Sequence, residues 1–87
     1  MDIKSLRKEI DKLDGELLEV LARRKKIVDK IFKLKNELNL PKRDLEREKE
    51  MFEVRTKLAK KLDLSPNFIE KLFELIINES IKEQRKI

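Results

Sequence analysis

Apolar residues recur at alternating steps of three and four along the first part of the chain. They are Ile3, Leu6, Ile10, Leu13, Leu17, Val20, Ile27, Ile31, Leu34 and Leu38. That spacing gathers them into one stripe along a helix and predicts a first helix from about Ile3 to about Leu38. Gly15 falls inside it and costs about 1 kcal/mol relative to Ala without breaking the repeat. The segment NLPKRD ends the helix, because Pro41 cannot continue it and biases Leu40 toward an extended conformation. Asp44 then reads as the N-cap of a second helix, with Glu46 and Glu48 favoured in the first turn by the helix dipole. The apolar face of that helix is Leu45, Met51, Phe52, Leu58, Ala59 and Leu62. DLSP breaks it. Ser65 caps a third helix with Pro66 at the first helical position. Its inward stripe runs Phe68, Ile69, Leu72, Phe73, Ile76 and Ile77, then continues through Ser80, Ile81 and Gln84. The pattern predicts an all-α chain of three helices, one long and two shorter, forming a single domain over residues 1–87.

Helix length bears on assembly. At 1.5 Å per residue the first helix is roughly 54 Å long. A compact chain of this size has a radius of gyration of only ~12 Å, hence a diameter near ~31 Å. The helix must therefore project beyond its own globule, and its apolar seam runs the full length. The simplest cover for the projecting half is a second copy related by a two-fold axis, giving an intertwined homodimeric bundle.

Composition agrees with long helices and narrows the chemistry. Charged residues make up 47% of the 87 positions, with one glycine and two prolines, the profile of salt-bridged helices rather than a sheet. Abundant Lys and Glu with few Asn and Gln fit a thermophile-like composition. Absence of cysteine excludes disulfides and thiolate metal sites, and absence of histidine removes the commonest general base and zinc ligand. No apolar run approaches the ~20 residues of a membrane span, and the N-terminal stretch MDIKSLRKEI lacks a signal-peptide core. The expectation is a cytoplasmic protein without a membrane partner. The net charge of +5 fits either nucleic-acid binding or the concentration of a small anion by field focusing. With no Trp or Tyr, and four Phe on core faces, base stacking has little to work with.

The informative residues are polar ones where apolar ones belong. The seam position between Val20 and Ile27 is Arg24. Lys35 lies eleven residues on, which at ~100° per residue returns it to within ~20° of the same direction. Glu48 sits among Leu45, Met51 and Phe52, one turn after Asp44, while Ser80 and Gln84 continue the third helix's stripe. Each has a plain structural reading. A seam Arg can set coiled-coil register or extend its head to solvent. A Glu after an N-cap can be a surface residue, and Ser80 and Gln84 can mark a fraying helix end. Together, however, they turn cations, acids and neutral hydrogen-bonding groups toward one interior. Burying such groups unpaired is costly, and a multiply anionic small ligand would supply partners.

This set resembles the all-helical chorismate mutases. The shared pattern is Arg7 in SLRKEIDKLD, Arg24 in LARRKK, Lys35 in KLK, then Asp44, Arg47 and Glu48 in RDLERE, and Ser80 and Gln84 in IINESIKEQ. The likeness runs without a gap from Leu6 to Gln84. Arg23 precedes Arg24, and the seam register selects Arg24 as the inward one; Arg23, Lys25 and Lys26 read as solvated surface.

The resemblance implies an isomerase that rearranges chorismate to prephenate in phenylalanine and tyrosine biosynthesis. That unimolecular reaction needs no metal and no cofactor, which suits a chain without His or Cys. It needs the enolpyruvyl side chain held compactly over the ring and donors preorganised around the ether oxygen as its C–O bond breaks. By the resemblance, Arg24 pairs with a substrate carboxylate, and Arg7 does so from the other subunit, so that two sites are shared in a homodimer. Lys35 and Gln84 donate to the ether oxygen, Glu48 accepts from the ring hydroxyl near Asp44, and Arg47 and Ser80 complete the wall. Bidentate pairing explains Arg rather than Lys at positions 7 and 24. No built-in feedback domain is expected. The same fold also serves isochorismate-pyruvate lyases, which release pyruvate. A different class, a non-catalytic helical interaction module or a nucleic-acid binder, predicts salt-dependent binding to polyanions and no consumption of chorismate. The mutase pattern favours a small-molecule substrate over nucleic acid.

Overall fold

A computed structural model describes residues 2–41 and 43–84. Met1, Lys42 within the predicted NLPKRD break, and residues 85–87 at the end of the expected domain lie outside the described residues. The chain forms α1 (Ile3–Glu37), α2 (Leu45–Lys61) and α3 (Pro66–Gln84), and no strand occurs among the described residues. All three helices begin on a side-chain oxygen that accepts a backbone N–H three residues ahead. Ser5 N–H donates to Asp2 Oδ1 at 2.8 Å, Arg47 N–H to Asp44 Oδ1 at 3.0 Å, and Phe68 N–H to Ser65 Oγ at 3.3 Å. Each bond satisfies one of the N–H groups that a helix start leaves without a partner. The bonds from Ser5 hold the Asp2 carboxyl below its ordinary value.

Helices α1 and α2 stop by the same device. After the C-cap Leu38, Asn39 adopts φ 55°; after the C-cap Leu62, Asp63 adopts φ 60°. In the first case Asn39 N–H donates to Asn36 O and Leu40 N–H to Lys35 O; in the second Asp63 N–H donates to Lys60 O and Leu64 N–H to Ala59 O. These paired bonds form a Schellman closure around a left-handed residue. Pro41 therefore follows a stop already made at Asn39.

Helix α3 packs against both α1 and α2, whereas the backbones of α1 and α2 do not approach each other closely among the described residues. Partly buried positions on α1 are Leu21, Arg24, Val28, Phe32 and Lys35. This second three-four stripe is rotated from the apolar seam and shares Arg24 with it. The seam itself stays 40–66% exposed from Ile3 to Leu38. The N-terminal half of α1 is exposed throughout, and the molecule measures 55 × 27 × 16 Å with a radius of gyration of 16.3 Å. Projection beyond the globule, expected from helix length, is thus observed.

Two predicted faces need correction. On α2, Leu45, Phe52, Leu58 and Leu62 are exposed, and the stripe facing α3 is Glu48, Met51, Arg55 and Ala59 with Thr56 alongside. On α3, Phe68 is exposed while Ile69, Leu72, Phe73, Ile76, Ile77, Ser80, Ile81 and Gln84 are partly buried as predicted. Both departures have one character: an apolar pattern does not say which element lies against a face, and in this chain these faces are open to solvent. Ala59 is the one buried side chain among the described residues.

Candidate active site

Of the sequence-predicted residues, Arg24, Lys35, Glu48, Ser80 and Gln84 are all partly withdrawn from solvent, and they come from all three helices. Their neighbours Arg23, Lys33 and Lys49 are exposed, so helix register, not composition, chooses which polar groups turn inward. Arg23 is exposed and Arg24 partly buried, Arg24 through the stripe it shares with Leu21 and Val28 and not through the exposed apolar seam.

Hydrogen bonds fix several of these groups. Gln84 Nε2 donates to Asp29 Oδ1 at 2.8 Å, tying the end of α3 to α1. One turn away on α1, Lys25 pairs with Glu83 at 3.4 Å. Ser80 Oγ donates to the Ile76 carbonyl at 3.0 Å, leaving its oxygen as an acceptor. Arg43 Nη2 meets Glu48 Oε1 at 2.8 Å, while Glu48 Oε2 is buried without a hydrogen-bond partner among the described residues. A buried carboxylate oxygen with no donor is an expensive arrangement. The Lys35 ammonium lies 5.8 Å from the Phe32 ring centroid. Asp44 is exposed, and its Oδ1 serves the α2 cap.

These groups open into neighbouring concavities. Arg24 and Ser80 line a groove of 410 Å³ between α1 and α3. Glu48 lies in a cleft of 130 Å³ between α2 and α3. Lys35 and Asp44 share a third hollow of 420 Å³ where α1 ends and α2 begins. One chain does not merge them. Arg7 stands apart: it is exposed on the projecting half of α1, roughly 25 Å along the axis from Arg24. Among the described residues no three His, Cys, Asp or Glu side chains are grouped to hold a metal ion, and no helix is long and apolar enough to cross a membrane.

The sequence pattern of the chorismate mutase type II family matches residues 6–85. This chain belongs to that family. Chorismate mutase from Methanocaldococcus jannaschii is 32% identical over 81 residues, covering 91% of this chain and 82% of the relative. The bifunctional chorismate mutase/prephenate dehydratase of Buchnera aphidicola subsp. Schizaphis graminum is 45% identical over 86 residues, covering 99% of this chain but 22% of the relative. The chain thus spans about a fifth of the length of the bifunctional relatives. Among solved structures, chorismate mutase (form I) from Thermus thermophilus superposes with a TM-score of 0.80 at 37% identity, covering 90% of this chain and 96% of that one. The all-helical chorismate mutase fold expected from the motifs is therefore the fold of this chain.

Three residues near the site escape the sequence pattern. Arg55 belongs to the inward stripe of α2, seven residues after Glu48, and continuing the three-four spacing from Glu48 through Met51 would have found it. Its guanidinium lies 4.3 Å from the Phe73 ring centroid. Burial first, then the Arg24 and Arg47 cations, hold its pKa below the ordinary guanidinium value. Arg43 lies between helices, where no periodicity speaks. Asp29 is met by a residue 55 positions later, a pairing that only the folded chain reveals.

Proposed function

We propose that this chain is a chorismate mutase, an isomerase converting chorismate to prephenate. One observation carries the reading. In a chain of the chorismate mutase type II family, the polar residues drawn partly out of solvent include Arg24, Lys35, Glu48, Ser80 and Gln84. They supply what a dianion undergoing charge separation requires, with cations for carboxylates, donors for an ether oxygen, and an acceptor for a hydroxyl.

In this reading Arg24 binds a substrate carboxylate bidentately. Lys35 and Gln84 donate to the ether oxygen, which gains negative charge as the C–O bond breaks and the new C–C bond forms within the same molecule. Glu48 Oε2, buried without a partner among the described residues, accepts from the ring hydroxyl. Asp44 fixes the start of α2 and so the direction of Arg47 and Glu48, and Ser80 offers its oxygen at the wall. The proton inventory of the substrate does not change, so no general base is needed. The catalytic demand is restraint of the side chain over the ring, plus donors already in place.

Arg7 enters from a second copy. The exposed apolar seam and the separation of Arg7 from Arg24 within one chain both support a homodimer with shared sites, in which the partner's α1 encloses the open hollows.

The test is to mix purified protein with chorismate and follow loss of its ultraviolet signal together with prephenate. Lys35→Ala is expected to lower kcat by roughly 100- to 1,000-fold, the effect of removing one transition-state donor. Full activity in both Lys35→Ala and Arg24→Ala would overturn the site assignment. Pyruvate release from isochorismate without prephenate formation would reassign the chain to the lyase reaction.

A further inference from the structure

We propose that Arg55 is a substrate-binding residue, a further guanidinium that holds a carboxylate of the dianion beside those of Arg24 and Arg7. The inference rests on the mutase reading above and adds a residue to it.

Arg55 projects from the stripe of α2 that faces α3, one turn beyond Met51, and is partly buried. Its guanidinium is laid over the Phe73 ring at 4.3 Å. Stacking fixes the plane of a guanidinium while leaving its edge N–H groups available in the plane. The same cleft is lined by Glu48, whose carboxylate already belongs to the proposed site.

The charges around Arg55 argue for a ligand. Arg24 and Arg47 both act on Arg55 as like charges, adding to the effect of its burial. Among the described residues neither Arg55 nor Arg24 nor Arg47 forms an ion pair with a carboxylate. Glu70 and Glu74 line the cleft, yet neither closes a salt bridge to Arg55. A purely structural Arg would be expected to take such a partner, and a Leu would pack on Phe73 as well without the repulsion. A partly buried guanidinium without a carboxylate partner is unfavourable unless an anion compensates it. A dicarboxylate does so, and the attraction acts on the bound ground state as much as on the transition state, because the carboxylates are not the reacting atoms.

That last point sets the readout. An interaction equal in ground and transition states changes KM and leaves kcat alone. Wild type, Arg55→Leu, Arg55→Gln and Arg55→Lys would be compared by steady-state kinetics with chorismate at low and high salt, with circular dichroism to verify folding. In Arg55→Leu and Arg55→Gln, KM should rise about 10- to 100-fold, the effect of one charge-assisted bond. Their kcat should stay within about 3-fold of wild type, because uniform binding is what is lost. Arg55→Lys should recover part of the affinity, and kcat/KM should depend less on salt in the neutral variants. A folded Arg55→Gln with a KM within about twofold of wild type would overturn the proposal, and so would a loss confined to kcat. If Arg55→Leu fails to fold, the Gln and Lys variants decide by the same criteria. An active wild type with unaffected Arg55 variants sinks this proposal alone. A wild type that leaves chorismate untouched sinks the mutase reading and this proposal with it.

Discussion

An amide has a donor end and an acceptor end, and a site that needs the donor must fix which end faces the substrate. For Gln84 that choice is made by Asp29, whose Oδ1 accepts from Gln84 Nε2 at 2.8 Å. An ionised carboxylate can only accept, so the amide nitrogen is held on that side and its second N–H remains for a further acceptor. If Gln84 serves the ether oxygen, Asp29 acts through it as a positioning residue. Asp29→Ala is then expected to lower kcat about 2- to 10-fold, the worth of one ordinary hydrogen bond, with little change in KM. Asp29→Asn, which keeps an accepting oxygen, should recover part of the loss. A faster Asp29→Ala enzyme would show instead that the bond restrains Gln84 from its task. Glu48 presents the complementary case. Arg43 occupies one carboxylate oxygen and the other is buried without a donor among the described residues, so Glu48→Gln would bring a donor to a place that calls for an acceptor. A rise in KM, a fall in kcat, or both should follow, by about 10-fold or more. Unchanged kinetics would exclude Glu48 from the site.

At the scale of helices, the stops are sharper than the chain's single glycine would suggest. Asn39 and Asp63 both carry φ near 60°, a conformation that glycine adopts freely and other residues at a cost. Asp63 has the further disadvantage of a negative charge just past the C-terminal end of α2, where the helix dipole is also negative. Asp63→Gly should therefore stabilise the fold by roughly 0.5–1 kcal/mol in chemical denaturation, whereas Asp63→Val should destabilise it by at least about as much. A neutral result for Val would mean that the closure after α2 contributes nothing. Helix positions and most helix starts are legible in the sequence because capping and periodicity are local; Asp44, Ser65 and Pro66 sit where the pattern places them. The left-handed stops are not, since Asn39 and Asp63 look like ordinary polar loop residues. The inward face of α2 escapes the pattern for a different reason. Leu45, Phe52, Leu58 and Leu62 mark an apolar surface, but in one chain that surface is open, and Glu48, Met51, Arg55 and Ala59 meet α3 instead. Among candidate site residues, those on helical stripes are readable from spacing. Asp29 and Arg43 are not, because their partnerships depend on tertiary approach and on loop conformation.

The whole molecule is shaped by an unequal division of apolar surface. Its seam on α1 remains 40–66% exposed along a body 55 Å long, while Arg24 and Lys35 lie on the neighbouring, partly buried stripe, Arg24 beside α3 and Lys35 near the start of α2. A second copy laid along the seam would bury the apolar face and bring its own Arg7 toward the first copy's Arg24, so assembly and catalysis would depend on one helix. That dependence can be tested by complementation. Assayed at chorismate concentrations far below their raised KM, Arg7→Ala and Arg24→Ala chains should each be nearly inactive alone. Mixed under conditions of subunit exchange, half the dimers become hybrids. In each hybrid one site receives both native arginines and the other receives neither. Random pairing at equal amounts therefore predicts recovery to about a quarter of wild-type activity. The recovery should follow the kinetics of exchange and vanish when the two chains are kept from mixing. No recovery despite demonstrated exchange would mean that Arg7 and Arg24 serve the same chain, and the projecting helix would need another reason to leave its seam uncovered.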